Sequence, residues 1–384
     1  MSETLIIQKY DEVYVKVKSE ASTAYELSEH FTFSVPGAKF SPAYRNKVWD
    51  GKIRLFNVMT GLVYAGLVPY IEHFARERDY EIEYLSDFTQ EEFSLKEAKD
   101  FTKTIGLPEQ YEVRDYQLEA FAHAVRNRRA LLLSPTASGK SLIIYLLARY
   151  YNARTLIIVP TTSLVSQLAS DFSDYGYGDP SGIHSITAGK SKDTDLDFTI
   201  STWQSIYKMP KKFFEQFDVV IGDEAHLFKA KSLVSIMSKL DKCKYRFGFT
   251  GTLDGTQTNK LVLEGLFGAI KRVTTTAELI DQKHLASFKI KSIVLSYDED
   301  TRKMISKMKY QDEIDWIVRN QARNRFIKNL ALSLNGNSLL LFQFVEKHGD
   351  ILYDMIDKAA GDRNVYYVAG KTETEDRERI RKII

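Results

Sequence analysis

The sequence contains a single cysteine, Cys243, in 384 residues. One thiol excludes an internal disulfide framework and a cysteine metal cluster, which favours a reducing cytoplasm as the setting. No apolar run is long enough to span a bilayer. The N-terminal segment MSETLIIQKYDE lacks a basic region followed by a long apolar stretch, so the sequence predicts no signal peptide. A net charge of +2 means that any nucleic-acid-binding surface is a local patch.

One segment that is present, SPTASGKS at positions 134–141, has the spacing of a phosphate-binding loop, G-x-x-x-x-G-K-[ST]. In that pattern, backbone amides and a helix N-terminus hold phosphate oxygens, the lysine reaches the β- and γ-phosphates, and the hydroxyl binds Mg²⁺. This loop opens with Ser134 instead of glycine, which leaves the site in question. If the site is real, its cofactors are ATP and Mg²⁺. The loop residues expected to contact them are Thr136, Ala137, Ser138, Gly139, Lys140 and Ser141.

The middle of the chain, from about residue 111 to 285, alternates short β-branched runs with helical patterns. This alternation predicts an α/β domain with a parallel sheet and crossover helices. Ligands of such sheets lie at the C-terminal ends of the strands. The predicted strands are 131–133, 155–159, 197–200, 219–221 and 246–249.

A strand at 217–222 leads into Asp223-Glu224-Ala225-His226. Adjacent carboxylates are costly to bury unpaired, so alone they would be a solvated turn. Beside a phosphate loop they have roles: Asp223 holds Mg²⁺ through water, and Glu224 orients and activates the attacking water. We place Lys140, Asp223, Glu224 and His226 in the catalytic set, with Ser141 and Asp223 at the metal. The pair supports a real ATP site despite Ser134.

With these motifs the chain resembles the superfamily 2 helicases, which implies RecA-like motor domains. The segments that carry the resemblance are VRDYQLEAF (113–121), IIVPTTSLVSQ (157–167), ISTWQSI (200–206), GFTGTL (248–253) and LLLFQFVEKHG (339–349). The resemblance implies that Gln117 reads the adenine edge, supported by Arg114. It also implies DNA-backbone contacts from Thr161, Ser163, Thr202 and Trp203, and coupling of nucleotide to nucleic acid by Thr250 and Thr252.

The N-terminal segment 31–57, FTFSVPGAKFSPAYRNKVWDGKIRLFN, resembles the UvsW-type helicases of tailed bacteriophages. That likeness implies a DNA helicase acting on stalled forks, displacement loops and four-way junctions, in phage replication, recombination and repair. The likeness also implies that unspecified phage or host recombination and replication proteins are partners of the chain, and that it works in the cytoplasm of the host cell. Basic groups in this segment suit phosphates and its aromatics suit bases. We expect DNA contacts from Arg45, Lys47, Lys52 and Arg54, and a small β-domain core from Phe31, Phe33 and Phe40.

These patterns predict three domains. Residues 1–100 form a small α+β DNA-binding domain, with a strand at 13–17 and a helix at 21–30. Residues 101–285 form the first RecA-like domain. Residues 286–384 form the N-terminal part of a second RecA-like domain. Its predicted strands are 289–297, 338–344 and 364–368, and its predicted helical stretches are 299–334, 349–360 and 373–384.

No match to the arginine-finger motif, glutamine-x-x-glycine-arginine-x-x-arginine, follows Gly370. Such an arginine is worth roughly 10³–10⁵ in rate in related NTPases. Either the chain is a truncated product of a longer helicase, which we favour, or it is a natural short form that borrows its arginine from a partner. In both cases we expect the chain alone to be a weak or inactive ATPase. Three alternatives stay open: a double-strand DNA translocase, an RNA helicase, and an ATP-gated DNA-binding module without turnover.

Overall fold

The computed structural model describes residues 3–178, 182–186, 195–253, 255–287 and 289–384.

Strands with alternating buried residues form the first sheet of the protein. The elements of this part are β1 (Thr4–Lys9), β2 (Tyr14–Lys18), α1 (Ala21–His30), β3 (Thr32–Ser34), α2 (Pro42–Arg45), β4 (Lys52–Arg54), β5 (Phe56–Asn57), β6 (Leu62–Tyr64), α3 (Val68–Glu77) and β7 (Glu81–Tyr84). The first sheet has the order β5-β6-β2-β1-β7, with β1 antiparallel to β2 and parallel to β7. The predicted strand at 13–17 and the predicted helix at 21–30 are both confirmed.

Strands β3 and β4 pair antiparallel as a separate two-stranded sheet, with Phe33 opposite Ile53. The segment between them, residues 35–51, holds a 3₁₀ turn (Ala38–Phe40) and α2. We call this segment the basic-aromatic loop. Between residues 36 and 50 every side chain is exposed or partly exposed. The loop is therefore shaped by its backbone, not by a core of its own.

The second sheet is parallel throughout, in the order β10-β11-β9-β12-β13-β8-β14. All five predicted strands are confirmed, and β10 and β14 extend the two edges. The elements are α4 (Leu95–Thr104), α5 (Asp115–Asn127), β8 (Arg129–Leu133), α6 (Lys140–Tyr151), β9 (Thr155–Val159), α7 (Thr162–Phe172), β10 (Ile183–Ile186), β11 (Phe198–Thr202), α8 (Trp203–Ile206), α9 (Lys211–Phe214), β12 (Val219–Asp223), α10 (Lys231–Lys239), β13 (Tyr245–Thr250), α11 (Gln257–Phe267), β14 (Ile270–Arg272) and α12 (Thr276–Asp281).

Two apolar cores cover the two faces of this sheet. Leu132 and Ile157 lie in the core shared with α5, α6 and α7, whereas their neighbours Leu131 and Leu156 lie in the core shared with α10 and α11. Strands buried on both faces read as continuous apolar runs. That is why the five strands could be recognised from sequence.

Hydrogen bonds and apolar packing join the first sheet to the domain of the second sheet. The backbone amide of Glu12 donates to the carbonyl of Asp241 at 2.9 Å, and Arg129 Nη2 donates to the carbonyl of Glu12 at 2.9 Å. Leu261 of α11 is 2 % exposed and belongs to the core of the first sheet. Residues 1–287 accordingly form one compact unit, and residues 288–384 form another.

The described residues of the second unit form helices joined by loops. Its helices are α13 (Glu299–Ile305), α14 (Tyr310–Arg319), α15 (Gln321–Ser333), α16 (Asp350–Asp357) and α17 (Thr374–Ile383). The predicted helical stretch 299–334 is thus three helices. The caps of α14 and α15 mark the breaks, and the Asn320 side chain accepts a hydrogen bond from the amide of Arg323 at 2.9 Å.

The three strands predicted in this unit are wrong, because residues 289–384 contain no strand. The segments 338–344 and 364–368 do lie side by side, since the rings of Phe342 and Tyr367 stack with centroids 5.3 Å apart. Parallel strands need paired neighbours and covered faces. Leu339 and Leu341 are instead 86 % and 81 % exposed. The described residues therefore do not bury this apolar run as the core of a sheet would.

Candidate nucleotide site and nucleic-acid interface

The predicted nucleotide-site residues follow strands that are neighbours in the second sheet. Gly222 of β12 pairs with Gly248 of β13, and Thr250 of β13 pairs with Leu133 of β8. Because all three strands are parallel, the loop 134–141, the Asp223–His226 segment and the Thr250–Thr252 segment leave from the same edge. The sheet therefore brings these three motifs together.

The loop 134–141 has the backbone of a phosphate cradle. Ala137 and Gly139 take positive φ values of 63° and 77°, and Gly139 caps the N-terminus of α6. Left-handed residues between right-handed ones turn successive amides toward one concave side. A Cβ at Gly139 would lie 2.3 Å from Gln117 Nε2 and would be strained at this φ, so the position favours glycine.

The loop begins with Ser134, where the usual pattern has glycine, and the backbone at this position does not require glycine. Its φ is not in the left-handed region, so an L side chain is unstrained there. The hydroxyls of Ser134 and Ser138 are 2.6 Å apart, and Ser138 Oγ donates to the carbonyl of Pro135 at 2.6 Å. Both serines are fully buried. Ser134 therefore ties the start of the loop to its end.

Lys140 faces both carboxylates of the acidic segment. Its Nζ lies 3.2 Å from Glu224 Oε1 and 4.0 Å from Asp223 Oδ1. Burial raises the pKa of Asp223, and the Lys140 charge opposes that rise. Glu224 has a left-handed φ of 51°, a conformation that costs energy and recurs at functional sites. This ion-pair cluster holds the catalytic groups predicted from sequence within reach of one another.

Ser141, the predicted metal hydroxyl, has a partner that the sequence did not indicate. Its Oγ lies 2.7 Å from the hydroxyl of Tyr175. Tyr175 is 8 % exposed and lies in a π-helical turn, Ser173–Tyr177, that follows α7. No motif marks this tyrosine, because the contact joins residues 34 positions apart.

The Arg114–Gln117 element buttresses the loop. The carbonyl of Ser138 accepts hydrogen bonds from Gln117 Nε2 at 2.9 Å and from the Tyr116 hydroxyl at 3.1 Å. Arg114 Nη1 donates to Tyr116 at 2.7 Å, and the amide of Arg114 donates to Gln117 Oε1 at 2.9 Å. Gln117 is 3 % exposed and supports the loop, and its contact with adenine stays a prediction. Tyr116 was missed by sequence reasoning, although it stands inside the quoted motif.

His226 links the acidic segment to the Thr250–Thr252 segment. Its Nδ1 lies 3.0 Å from Thr250 Oγ1 and 3.3 Å from Glu224 Oε2. Thr250 Oγ1 also donates to the carbonyl of Thr252 at 2.9 Å. Because the Thr250 hydroxyl donates its one proton to the carbonyl of Thr252, its oxygen accepts a hydrogen bond from a protonated Nδ1 of His226. A chain of contacts thus runs from Glu224 to the predicted coupling threonines.

The predicted DNA-backbone residues of this unit follow β9 and β11, which are paired. Thr161 caps α7, and Ser163 is exposed in its first turn. Thr202 is 4 % exposed with its hydroxyl 2.9 Å from Ser205, and Trp203 packs partly against the core. Gln204 Nε2 donates to the carbonyl of Pro160 at 3.4 Å, so the two loops are adjacent. Their contact with DNA stays a prediction.

Four cations were predicted to contact DNA near the N-terminus: Arg45, Lys47, Lys52 and Arg54. All four are exposed. Arg54 Nη2 pairs with Asp50 Oδ2 at 2.5 Å. The core expected from the aromatics is correct for Phe31, which is fully buried, and holds in part for Phe33, which packs at the edge of that core. It is wrong for Phe40, which is 67 % exposed because turns of the basic-aromatic loop carry it away from the sheet.

The residues at the nucleotide site fit a magnesium–nucleotide complex. Mg²⁺ prefers oxygen ligands and is held by one or two protein groups together with substrate phosphates, which suits the Ser141 hydroxyl and the Asp223 carboxylate. Across the described residues no cluster of three histidine, cysteine or acidic side chains forms a cage for a metal. Within those same residues no helix is both long and apolar enough to cross a bilayer.

Known proteins share this architecture. Residues 5–85 match the family described as DNA helicase UvsW, N-terminal, and residues 110–255 match the family described as Type III restriction enzyme, res subunit. The ATP-dependent DNA helicase uvsW of Enterobacteria phage T4 is 38 % identical over 386 residues, which is 96 % of this chain and 76 % of that protein. The crystal structure of T4 UvsW aligns with 100 % of this chain and 78 % of its own, at 34 % identity and a TM-score of 0.65. The DNA 3'-5' translocase XPB2 of Sulfurisphaera tokodaii is 28 % identical over 197 residues, 51 % of this chain and 43 % of that protein.

Proposed function

This chain belongs to the UvsW family of ATP-dependent DNA helicases, and we propose that it uses ATP to remodel branched DNA. Its substrates would be stalled forks, displacement loops and four-way junctions in phage replication, recombination and repair. The setting would be the cytoplasm of the host cell, where unspecified phage or host proteins of those processes are its partners.

The observation that carries the proposal is the approach of Lys140 to Glu224, with Nζ and Oε1 3.2 Å apart. A lysine in a phosphate loop and a carboxylate aimed at the same point are what phosphoryl transfer requires: a cation for the phosphates and a base for the water.

The residue roles that we propose combine this geometry with the sequence motifs. Lys140 would hold the β- and γ-phosphates, and the amides of 136–141 would hold the remaining oxygens. Glu224 would orient the attacking water and accept its proton. Ser141 and Asp223 would hold Mg²⁺, which neutralises charge that develops on the transferring phosphoryl group. Gln117 and Arg114 would read the adenine edge.

DNA would contact the edge formed by Thr161, Ser163, Thr202 and Trp203. Contacts to sugar and phosphate position a protein without reading sequence, so we expect selectivity for DNA structure and not for sequence. The His226–Thr250 contact would pass the state of the nucleotide toward Thr252 and the DNA.

The proposed division is a DNA-binding domain at 1–100, a first RecA-like domain at 101–285 and part of a second RecA-like domain at 286–384. Because the sequence contains no match to the arginine-finger motif, we propose that the 384-residue polypeptide alone binds ATP but hydrolyses it slowly. It would then act in the test tube as an ATP-gated DNA-binding module.

A second candidate is translocation along duplex DNA. The observation that favours it is the match to the XPB2 translocase over half of the chain. Strand displacement on forked DNA, linear DNA and RNA duplexes separates this activity from fork remodelling and from RNA unwinding.

The deciding experiment measures ATP turnover with and without forked DNA, using the 384-residue chain and Lys140→Ala as the control. Fork binding with slow turnover supports the proposal as stated. Fast fork-stimulated turnover, abolished in Lys140→Ala, would show a complete motor and overturn the slow-turnover part. Absence of both nucleotide and DNA binding would refute the function.

A further inference from the structure

The basic-aromatic loop (residues 35–51) exposes three large apolar side chains within nine residues. Phe40 is 67 % exposed, Tyr44 is 42 % exposed and Val48 is 82 % exposed. Single apolar residues on a surface are ordinary. Three within one short segment are less so, and we call Phe40, Tyr44 and Val48 the apolar tip of the loop.

The loop holds this tip in a defined shape. The amides of Arg45 and Val48 donate to the carbonyls of Ser41 and Ala43 at 3.1 and 3.0 Å. Trp49 Nε1 donates to the carbonyl of Lys52 at 2.8 Å. A Cβ at Gly51 would lie 3.1 Å from the Tyr44 ring, so the ring packs closely against this glycine. Hydrogen bonds therefore fix the backbone of the loop that carries the apolar side chains.

The segment that carries the apolar tip is rich in positive charge. Between residues 35 and 54 the sequence has Lys39, Arg45, Lys47, Lys52 and Arg54 against a single acidic residue, Asp50. Arg54 neutralises Asp50. Lys39 Nζ lies 5.2 Å from the centre of the Phe40 ring, so a cation accompanies the most exposed aromatic of the loop. Exposed apolar side chains interspersed with cations complement a polyanion that also offers flat apolar surfaces.

We propose that the basic-aromatic loop is a junction wedge: Phe40, Tyr44 and Val48 pack on the base faces exposed at a DNA branch point. The cations around them neutralise phosphates of the arms that meet there. A linear duplex hides its base faces in the stack except at its ends, whereas a branch point exposes them. The inference rests on the proposed function and deepens it, because it names the part of the substrate that the N-terminal domain recognises.

The test compares affinities for a fork and for a linear duplex of equal length, using the 384-residue chain and 2-aminopurine placed at the branch. Phe40→Ala should lower the fork preference by about tenfold, as expected for loss of base–aromatic stacking. It should leave duplex affinity and the thermal unfolding midpoint unchanged. Phe40→Tyr should retain most of the preference. The 2-aminopurine signal should respond to the unsubstituted chain and not to Phe40→Ala.

Two controls separate the wedge from general effects. Tyr25→Ala removes an aromatic that is 65 % exposed on α1, outside the basic-aromatic loop, and should leave the fork preference intact. Lys47→Ala should weaken fork and duplex binding alike and reduce the salt dependence of log Kd by about one. Phe40→Ala should leave that slope unchanged.

Failure of the wedge and failure of the proposed function give different results. If the unsubstituted chain binds forks no better than linear duplexes, the branched-DNA function is wrong and the wedge falls with it. If it prefers forks and Phe40→Ala keeps that preference, the wedge alone is wrong. An equal loss in Tyr25→Ala and Phe40→Ala also overturns the wedge, as does loss of duplex binding in Phe40→Ala.

Discussion

The hydroxyl of Tyr70 donates a 2.6 Å hydrogen bond to Oε2 of Glu264, across 194 positions of sequence. Tyr70 lies on α3 beside the first sheet, and Glu264 lies on α11, the helix that follows the Thr250–Thr252 segment. Glu264 is 4 % exposed, and its Oε1 accepts from the amide of Ile270 at 3.2 Å. Burial, and then the neighbouring carboxylate, raise the pKa of Tyr70, so the phenol remains a donor at neutral pH.

Tyr70→Phe should destabilise the chain by about 2 kcal/mol, because it leaves a buried carboxylate without one of its two donors. The measurement is the midpoint of the urea transition at constant m-value. Tyr25→Phe is the matched control. Its ring is 65 % exposed, and a surface change of this kind is worth less than about 0.5 kcal/mol. Equal midpoints for the two variants would show that the Tyr70 bond contributes nothing.

Glu224→Gln should abolish turnover while keeping or strengthening nucleotide binding. The amide cannot accept a proton from water, so turnover should fall by about 100-fold or more. It also removes the charge that holds Lys140 at 3.2 Å, so Lys140 is released to the phosphates at less cost. Titration of a fluorescent ATP analogue measures the affinity, and Lys140→Ala should lose it. A parallel loss in Glu224→Gln would place Glu224 in binding instead of catalysis.

Thr250→Val should reduce the coupling between DNA binding and nucleotide binding, while each ligand still binds. The substitution keeps the shape of the side chain and removes the hydroxyl that joins His226 to the carbonyl of Thr252. Nucleotide affinity alone should change little, whereas the change in that affinity on adding DNA should shrink towards none. Coupling between two ligands is reciprocal, so DNA affinity with and without nucleotide should converge as well.

The control for Thr250→Val is Thr199→Val. Thr199 is also fully buried, and its hydroxyl has no hydrogen-bond partner within the described part of the chain. Replacing an unsatisfied buried hydroxyl with a methyl group should be neutral or stabilising. Equal effects of the two substitutions on coupling would remove the role assigned to Thr250.

Cys243 should be inert to Ellman's reagent in the folded protein at pH 8 and reactive in urea. Burial raises the pKa of its thiol to about 12, and the residue is fully buried. The unfolded thiol ionises near its ordinary pKa of about 8.5, so only unfolding exposes a thiolate at this pH. The raised folded pKa also means that this thiol's contribution to stability is full below about pH 8.5 and falls as the pH rises further. Rapid labelling of the native chain at pH 8 would contradict the burial.

The second sheet was predictable because its strands carry local signals. Each buried run is followed by a functional segment, as at Leu131–Leu133 before the phosphate loop and Val219–Ile221 before Asp223. The edge strands β10 and β14 lack such a following motif and were missed. The strands predicted in the second unit show the converse case, since the Leu339–Leu341 run has the right composition but no hydrogen-bonded neighbour among the described residues.

Contacts between distant side chains were beyond sequence reasoning. Tyr175 reaches Ser141 and Tyr70 reaches Glu264 through the fold alone, and a tyrosine is an ordinary core residue by composition. Phe40 was assigned to a core because aromatics usually are buried. The turns that expose it depend on backbone hydrogen bonds such as Phe40 N to Gly37 O at 2.9 Å, which no apolar pattern encodes.

Docking of the first sheet on α11 has a consequence for synthesis on the ribosome. The surface that receives α3, including Leu261 and Glu264, is translated long after Tyr70. At about 5–20 residues per second, the 194 intervening positions take about 10–40 s. During that interval the nascent N-terminal domain lacks part of its apolar core, since Leu261 has not yet emerged. The apolar residues that pack around Leu261 in the folded protein are therefore more exposed to water in the growing chain than in the finished one.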